Sequence, residues 1–191
     1  MWGNETNETQ KACLNTISHF KKAGVKANLK DPNPDILAYL NSRNYFIECK
    51  RIYSPKLRAL RGIVKDAMGQ LEKILSIDND NNSVGILALS IERPVTENNK
   101  IFEFETEHTG RSELKSYIRN FIDENKNIWQ GIMRDRKIVA IIVHMVVLNK
   151  IQQGDFFGNA FQTTISNAWV DASGFQPVAD ELGSVLKISE Q

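Results

Sequence analysis

The stretch Ile138–Leu148, IVAIIVHMVVL, limits the choice of fold more than any other part of the chain. It is apolar almost throughout and rich in β-branched residues. It is too short to span a bilayer. A strand with one wet face would alternate, whereas a run like this reads as a central strand covered on both faces. Helices must therefore lie on both sides of a sheet, which sets an α/β layer architecture.

The rest of the chain supplies the layers. Cys13, Leu14, Ile17 and Phe20 recur at three and four within a first helix from about Glu5 to Ala23, and Gly24 follows as a stop. Val25–Leu29 is a short strand. Asp35–Leu40 and Tyr45–Ile52 are two more, joined by Asn41-Ser42-Arg43-Asn44. A second helix, about Pro55–Ile77, carries the stripe Leu57, Leu60, Val64, Ala67, Leu71, Ile74 and Leu75. Ser83–Ile91 is a strand, IFEFE a short one, and Ser112–Trp129 a third helix. Past Lys150 the pattern weakens. Phe161, Thr163 and Ile165 share a strand parity with Asn167 and Trp169, and Pro177–Lys187 suits a short helix. We expect a core over residues 1–150, with 151–191 as a C-terminal extension packed on it.

Composition sets outer bounds. The chain has 191 residues, 41% of them hydrophobic and 25% charged, which suits one ordered domain. A formal net charge of +1 argues against coating nucleic acid by bulk charge but leaves room for a local basic site. Two cysteines, Cys13 and Cys49, are too few for a disulfide framework. The polar start MWGNETNETQ lacks a signal-peptide core. A reducing cytoplasm is the expected compartment, with no membrane partner.

The hairpin is where charge is out of place. Glu48 and Lys50 share one face of their strand with Phe46, while Tyr45, Ile47 and Cys49 face the other way. With the turn centred near Ser42 and Arg43, Asp35 falls opposite Lys50 and diagonal to Glu48. Opposed Cβ atoms lie about 5 Å apart and diagonal ones about 7–8 Å. Two carboxylates at that spacing can grip one small hard cation, with an ammonium beside them. Mg²⁺ typically takes one or two carboxylates, waters and substrate phosphate. The duller explanation is a surface hairpin with an ordinary Glu–Lys pair.

Pro34-Asp35 followed by Glu48-Cys49-Lys50 resembles the signature of the PD-(D/E)XK nuclease superfamily, with its restriction-endonuclease-like αβββαβ core. The resemblance covers roughly Glu5–Leu148. It implies that Asp35 and Glu48 are metal ligands, joined by the Cys49 backbone carbonyl, and that Lys50 is the catalytic lysine. Many members carry a glutamine on the following helix, and Gln70 occupies such a place. Some add an acid from the first helix, for which Glu8 is the candidate and Glu5 the fallback. The implied activity is hydrolysis of phosphodiester bonds, with DNA the first expected substrate, by attack of a water activated by Mg²⁺ or its substitute Mn²⁺. Many members act as homodimers on double-stranded DNA. The rival expectation is a nuclease-like module that binds nucleic acid or assembles with partners and does not turn over.

A second feature fits a polyanion. Lys50, Arg51, Lys56, Arg58, Arg61 and Lys65 occupy a stretch without a single acid, and Arg58, Arg61 and Lys65 share one helix face. Such a ridge would contact phosphates in a salt-dependent way. Other features carry less. Asp78, Asp80 and Asn82 mimic the start of a calcium loop, but Ser83 and Leu89 stand where its glycine and closing glutamate belong. His144, inside the apolar run, reads as a hydrogen-bonded core histidine. The Phe156, Phe157, Phe161 and Trp169 cluster reads as packing rather than base stacking. Neither a glycine-rich phosphate loop nor a GxSxG or HExxH motif is present.

Overall fold

A computed structural model describes residues 3–30, 34–54, 56–78, 82–91, 101–133, 137–152 and 156–166, together with Leu182 and Ser184. The order is α1 (Gly3–Lys22), β1 (Lys26–Leu29), β2 (Ile36–Leu40), β3 (Arg43–Arg51), α2 (Leu57–Ile77) and β4 (Ser83–Ser90). There follow β5 (Phe102–Phe104), α3 (Glu107–Glu124), α4 (Lys126–Met133), β6 (Ile138–Ile151) and β7 (Phe156–Ser166). The fold is α/β, a mixed sheet flanked by helices, and the expected αβββαβ order is present.

Among the described residues the sheet has seven strands. β1, β2 and β3 form an antiparallel meander, and β3 then pairs in parallel with β4. β4 pairs in parallel with β6. β7 runs antiparallel along β6 from Ala140 to Lys150 and so fills one edge of that strand. A strand has only two edges, so β4 and β5 share the other, β4 against Ile138–His144 and β5 against Asn149–Ile151. The apolar run is thus paired on both edges and buried from Ile138 to Met145. The sheet continues past residue 150 into β7. Asn167, Trp169 and most of Pro177–Lys187 lie outside the described residues, although Leu182 is fully buried.

Two cores lie on opposite faces. On one, the α2 residues Leu60, Val64, Ala67, Met68 and Leu71 meet Leu87, Leu89, Ile141 and Val143 of the sheet, joined by Leu114, Ile118 and Trp129. On the other, Cys13, Ile17 and Phe20 of α1 meet Tyr45, Ile47, Cys49, Ala88 and Ile142. Of the expected α2 stripe, Leu60, Val64, Ala67 and Leu71 are buried, and Ile74 and Leu75 are partly so. α2 lies close on β4. A Cβ added at Gly85 would come within 2.5 Å of Ile138 Cδ1 and 3.3 Å of Leu75 Cδ1.

Two expectations about local structure need correction. The single helix Ser112–Trp129 is two helices. α3 begins earlier because Thr106 caps it, its Oγ1 accepting from the Thr109 N–H at 3.1 Å. It ends at Asn125, whose side chain donates to the Phe121 carbonyl at 2.8 Å. Trp129 Nε1 then donates to the Ile122 carbonyl at 2.9 Å and ties α4 back to the end of α3. The β2–β3 connector is also shorter than the four residues expected. Arg43 and Asn44 belong to β3, and the turn is Asn41-Ser42, with φ of 47° and 62°. Positive φ at both central residues is the two-residue type I′ hairpin, whose twist matches its strands.

Candidate functional site

That turn sets the register. Leu40 faces Arg43 and Ile36 faces Ile47. β2 begins at Ile36, and its register carried one step further would set Asp35 opposite Glu48, not opposite Lys50 as the sequence suggested. Lys50 is instead its diagonal neighbour. The two-residue turn, in place of a centre near Ser42 and Arg43, accounts for the slip.

The structure brings Glu48, Lys50 and Gln70 together on the α2 face. Lys50 Nζ donates to Glu48 Oε1 at 2.6 Å and to Gln70 Oε1 at 2.7 Å. β3 presents the first two on one parity, and α2 sets Gln70 above them at the edge of its buried stripe. Gln70 itself is exposed, and Lys50 is partly so. Glu48 is buried, with 2% of its side chain exposed. Burial holds its carboxyl above the usual range, the Lys50 hydrogen bond pulls it back, and the neighbouring Asp35 charge lifts it again. Its second oxygen, Oε2, is buried and has no hydrogen-bond partner among the described residues. A buried acceptor left in that state costs about 1–3 kcal/mol, and more when charged.

Asp35 sits at the rim between the two faces of the sheet. Its Oδ2 accepts from the Cys49 N–H at 2.8 Å, and the Lys30 N–H donates to its carbonyl at 3.0 Å. Within a strand, the N–H and C=O of one residue point to the same edge, so the Cys49 carbonyl also faces the β2 side. The register, carried one residue past Asp35, sets Pro34 opposite Cys49. Proline has no N–H to give. The Asp35 side chain takes the Cys49 N–H, and on that register Pro34 could give no N–H to the Cys49 carbonyl.

Donor chemistry at this rim fits a hard divalent cation. Glu48 Oε2 is an orphaned buried oxygen, a second carboxylate stands across the ladder, and a backbone carbonyl faces the same edge. All are oxygen ligands of the kind Mg²⁺ and Mn²⁺ take. A cation would satisfy the orphan and relieve the repulsion between the two acids.

The remaining candidates are dispersed. Glu8 and Glu5 lie on α1, but their side chains are outside the described ones. Arg51 shares the parity of Cys49, so it is on the face opposite Lys50, with its guanidinium 5.9 Å from the centre of the Tyr53 ring. Lys56, Arg58, Arg61 and Lys65 are exposed. Arg61 and Lys65 stand on a cavity of about 420 Å³ between α2 and α4, floored by Val64, Met68, Ile128 and Ile132. None of Asp35, Glu48, Lys50 and Gln70 lines it. The N-terminus of α2 has no acid in its first turn and no side-chain cap. His144 is buried as expected, but neither ring nitrogen has a hydrogen-bond partner among the described residues. Asp78, set aside as a calcium ligand, accepts from the Ser83 hydroxyl.

One grouping is not visible in the sequence. A carboxylate oxygen of Asp35 and the sulfurs of Cys13 and Cys49 all lie within 4.8 Å of one another. Both thiols are buried and free. A hydrogen bond with Cys13, followed by burial, lifts the Cys49 thiol well above its ordinary range, and the charges of Asp35 and Glu48 add to this. Helical periodicity marks Cys13 as core-facing but does not say which strand α1 crosses, so the pairing has no local signal.

No family model matches the chain, and no curated protein matches it. Among the described residues, no helix is long and apolar enough to cross a membrane.

Proposed function

We propose that this chain is a metal-dependent nuclease of the PD-(D/E)XK kind, hydrolysing phosphodiester bonds with DNA as the first substrate to test. The observation that carries the reading is the orphaned Glu48 Oε2. It is a buried carboxylate oxygen beside a second acid, with a lysine already fixed on its partner oxygen. A purely structural Glu–Lys pair gains nothing from burying an unsatisfied oxygen. A cation site needs one.

In this reading Asp35, Glu48 and the Cys49 carbonyl hold Mg²⁺, or Mn²⁺ in its place. When bound, the ion acts as a Lewis acid that neutralises phosphate charge and makes water acidic. Gln70 and Glu48 clamp the Lys50 ammonium from two sides, which fixes its position without a search through rotamers. Lys50 thereby presents positive charge where the phosphate gains negative charge in the transition state. Arg58, Arg61 and Lys65, exposed on α2, contact the nucleic-acid backbone further from the reacting phosphate.

Plasmid nicking in Mg²⁺ tests the proposal, with Asp35→Ala, Glu48→Ala and Lys50→Ala compared with the unaltered chain. The expected outcome is cleavage that needs the metal and falls at least a hundredfold in each variant. Equal cleavage in all four proteins would reject these roles. Calorimetric silence with Mn²⁺, together with salt-sensitive DNA binding, would instead make the chain a binding module.

A further inference from the structure

We infer that Cys13, Asp35 and Cys49 form a second metal site, selective for a thiophilic divalent ion of the Zn²⁺ class, which shares Asp35 with the hard-cation site. The binding claim stands on its own geometry. Only its consequence for cleavage rests on the nuclease reading.

Each of the three residues offers a ligand atom, and these atoms lie within 4.8 Å of one another. A tetrahedral Zn²⁺ with ligands at about 2.0–2.3 Å sets its donors roughly 3.4–3.8 Å apart. The gaps need to close by no more than about 1.0–1.4 Å on that comparison. Two thiolates and a carboxylate are a soft donor set that prefers Zn²⁺ or Cd²⁺ to Mg²⁺. Cys13 comes from α1, Cys49 from β3 and Asp35 from the end of β2, so an ion here would join three elements. Asp35 is the half-buried member of the three, so an ion would enter from its side, with water as the fourth ligand.

Asp35 links the two sites. Its Oδ2 is already committed to the Cys49 N–H. An ion held by the thiols would draw the carboxylate toward the α1 face and away from Glu48. A thiophilic ion would therefore inhibit a reaction that a hard ion supports.

The test is titration of the reduced full chain with Cd²⁺ alone, followed by sulfur-to-metal charge-transfer absorbance in the ultraviolet. We expect one Cd²⁺ per chain. The band should disappear in Cys13→Ser and Cys49→Ser, and the affinity should weaken at least tenfold in Asp35→Asn. Absence of the band in the unaltered chain, or its survival in either cysteine variant, overturns the site. Should the variants misfold by circular dichroism, alkylation of the unaltered chain decides. Zn²⁺ should slow modification of both thiols at least tenfold where Mg²⁺ does not, and an unchanged rate overturns the proposal. Failure of the nuclease reading would leave the Cd²⁺ band in place. Failure of this inference would leave Mg²⁺-dependent cleavage intact and insensitive to stoichiometric Zn²⁺.

Discussion

Acidification should destabilise this protein through His144 before most carboxylates titrate. The imidazole is 1% exposed, in the middle of β6, and its two ring nitrogens lack partners among the described residues. Burial, with a smaller push from His19, lowers its pKa from an ordinary 6.5 to about 4. The unfolded chain takes up the proton as pH falls through 6.5, and the folded chain does not until about 4. Stability is therefore unaffected above neutrality, falls between those values and levels off below the lower one. At about 1.36 kcal/mol per unit, the full loss is roughly 3 kcal/mol, of which about 2 kcal/mol is spent by pH 5.

Urea unfolding of the full chain and of His144→Phe, measured at pH 7, 6 and 5, reads this out. Other groups titrate in both proteins and cancel in the difference. His144→Phe should gain about 2 kcal/mol on the unaltered chain between pH 7 and pH 5. A difference that stays within about 0.5 kcal/mol across that range would show that the ring finds a proton acceptor when folded, and the reasoning from its burial would fail.

Other perturbations test the scaffold and the basic ridge. Gly85→Ala puts a methyl into the contact between β4, Ile138 and Leu75, and should cost about 1–3 kcal/mol, visible as a lower melting temperature. Ser42→Gly relieves a side chain at φ 62° in the type I′ turn and should stabilise the hairpin by up to about 1 kcal/mol in the same melt. Lys65→Ala removes one proposed phosphate contact, so the slope of log affinity against log salt on duplex DNA should shrink by about 0.9. An unchanged slope would place that ammonium away from the backbone.

The sequence was legible where periodicity speaks and opaque where register and packing decide. Ile138–Leu148 announced a strand covered on both faces because all but His144 is apolar, which holds from Ile138 to Met145 and fails at the exposed Val146 and Leu148, and the α2 stripe announced its buried face in the same way. Parity alone put Glu48 and Lys50 together, and Gln70 joined them from the edge of that stripe. The pairing partner of Asp35 was misjudged by two residues because nothing in Asn41-Ser42 advertises a type I′ turn. Asn-Gly would have. The division of α3 from α4 hangs on Asn125 and the Trp129 indole, both side-chain contacts to carbonyls that composition does not reveal. Cys13 meeting Cys49 is a crossing of a helix over a sheet, set by long-range packing.

Pro34 has an effect out of proportion to its size. The end of a strand pair is ordinarily free to add one more rung, and here a rung at Pro34 would lack the hydrogen bond that a proline N–H cannot give. The end of the β2–β3 ladder beside Asp35 thus falls at an imino acid, which has no N–H to add a further donor. On the proposed reading, an ion bound here would take the Cys49 carbonyl without breaking a ladder bond from residue 34, so less of the energy of coordination would be lost to rearrangement.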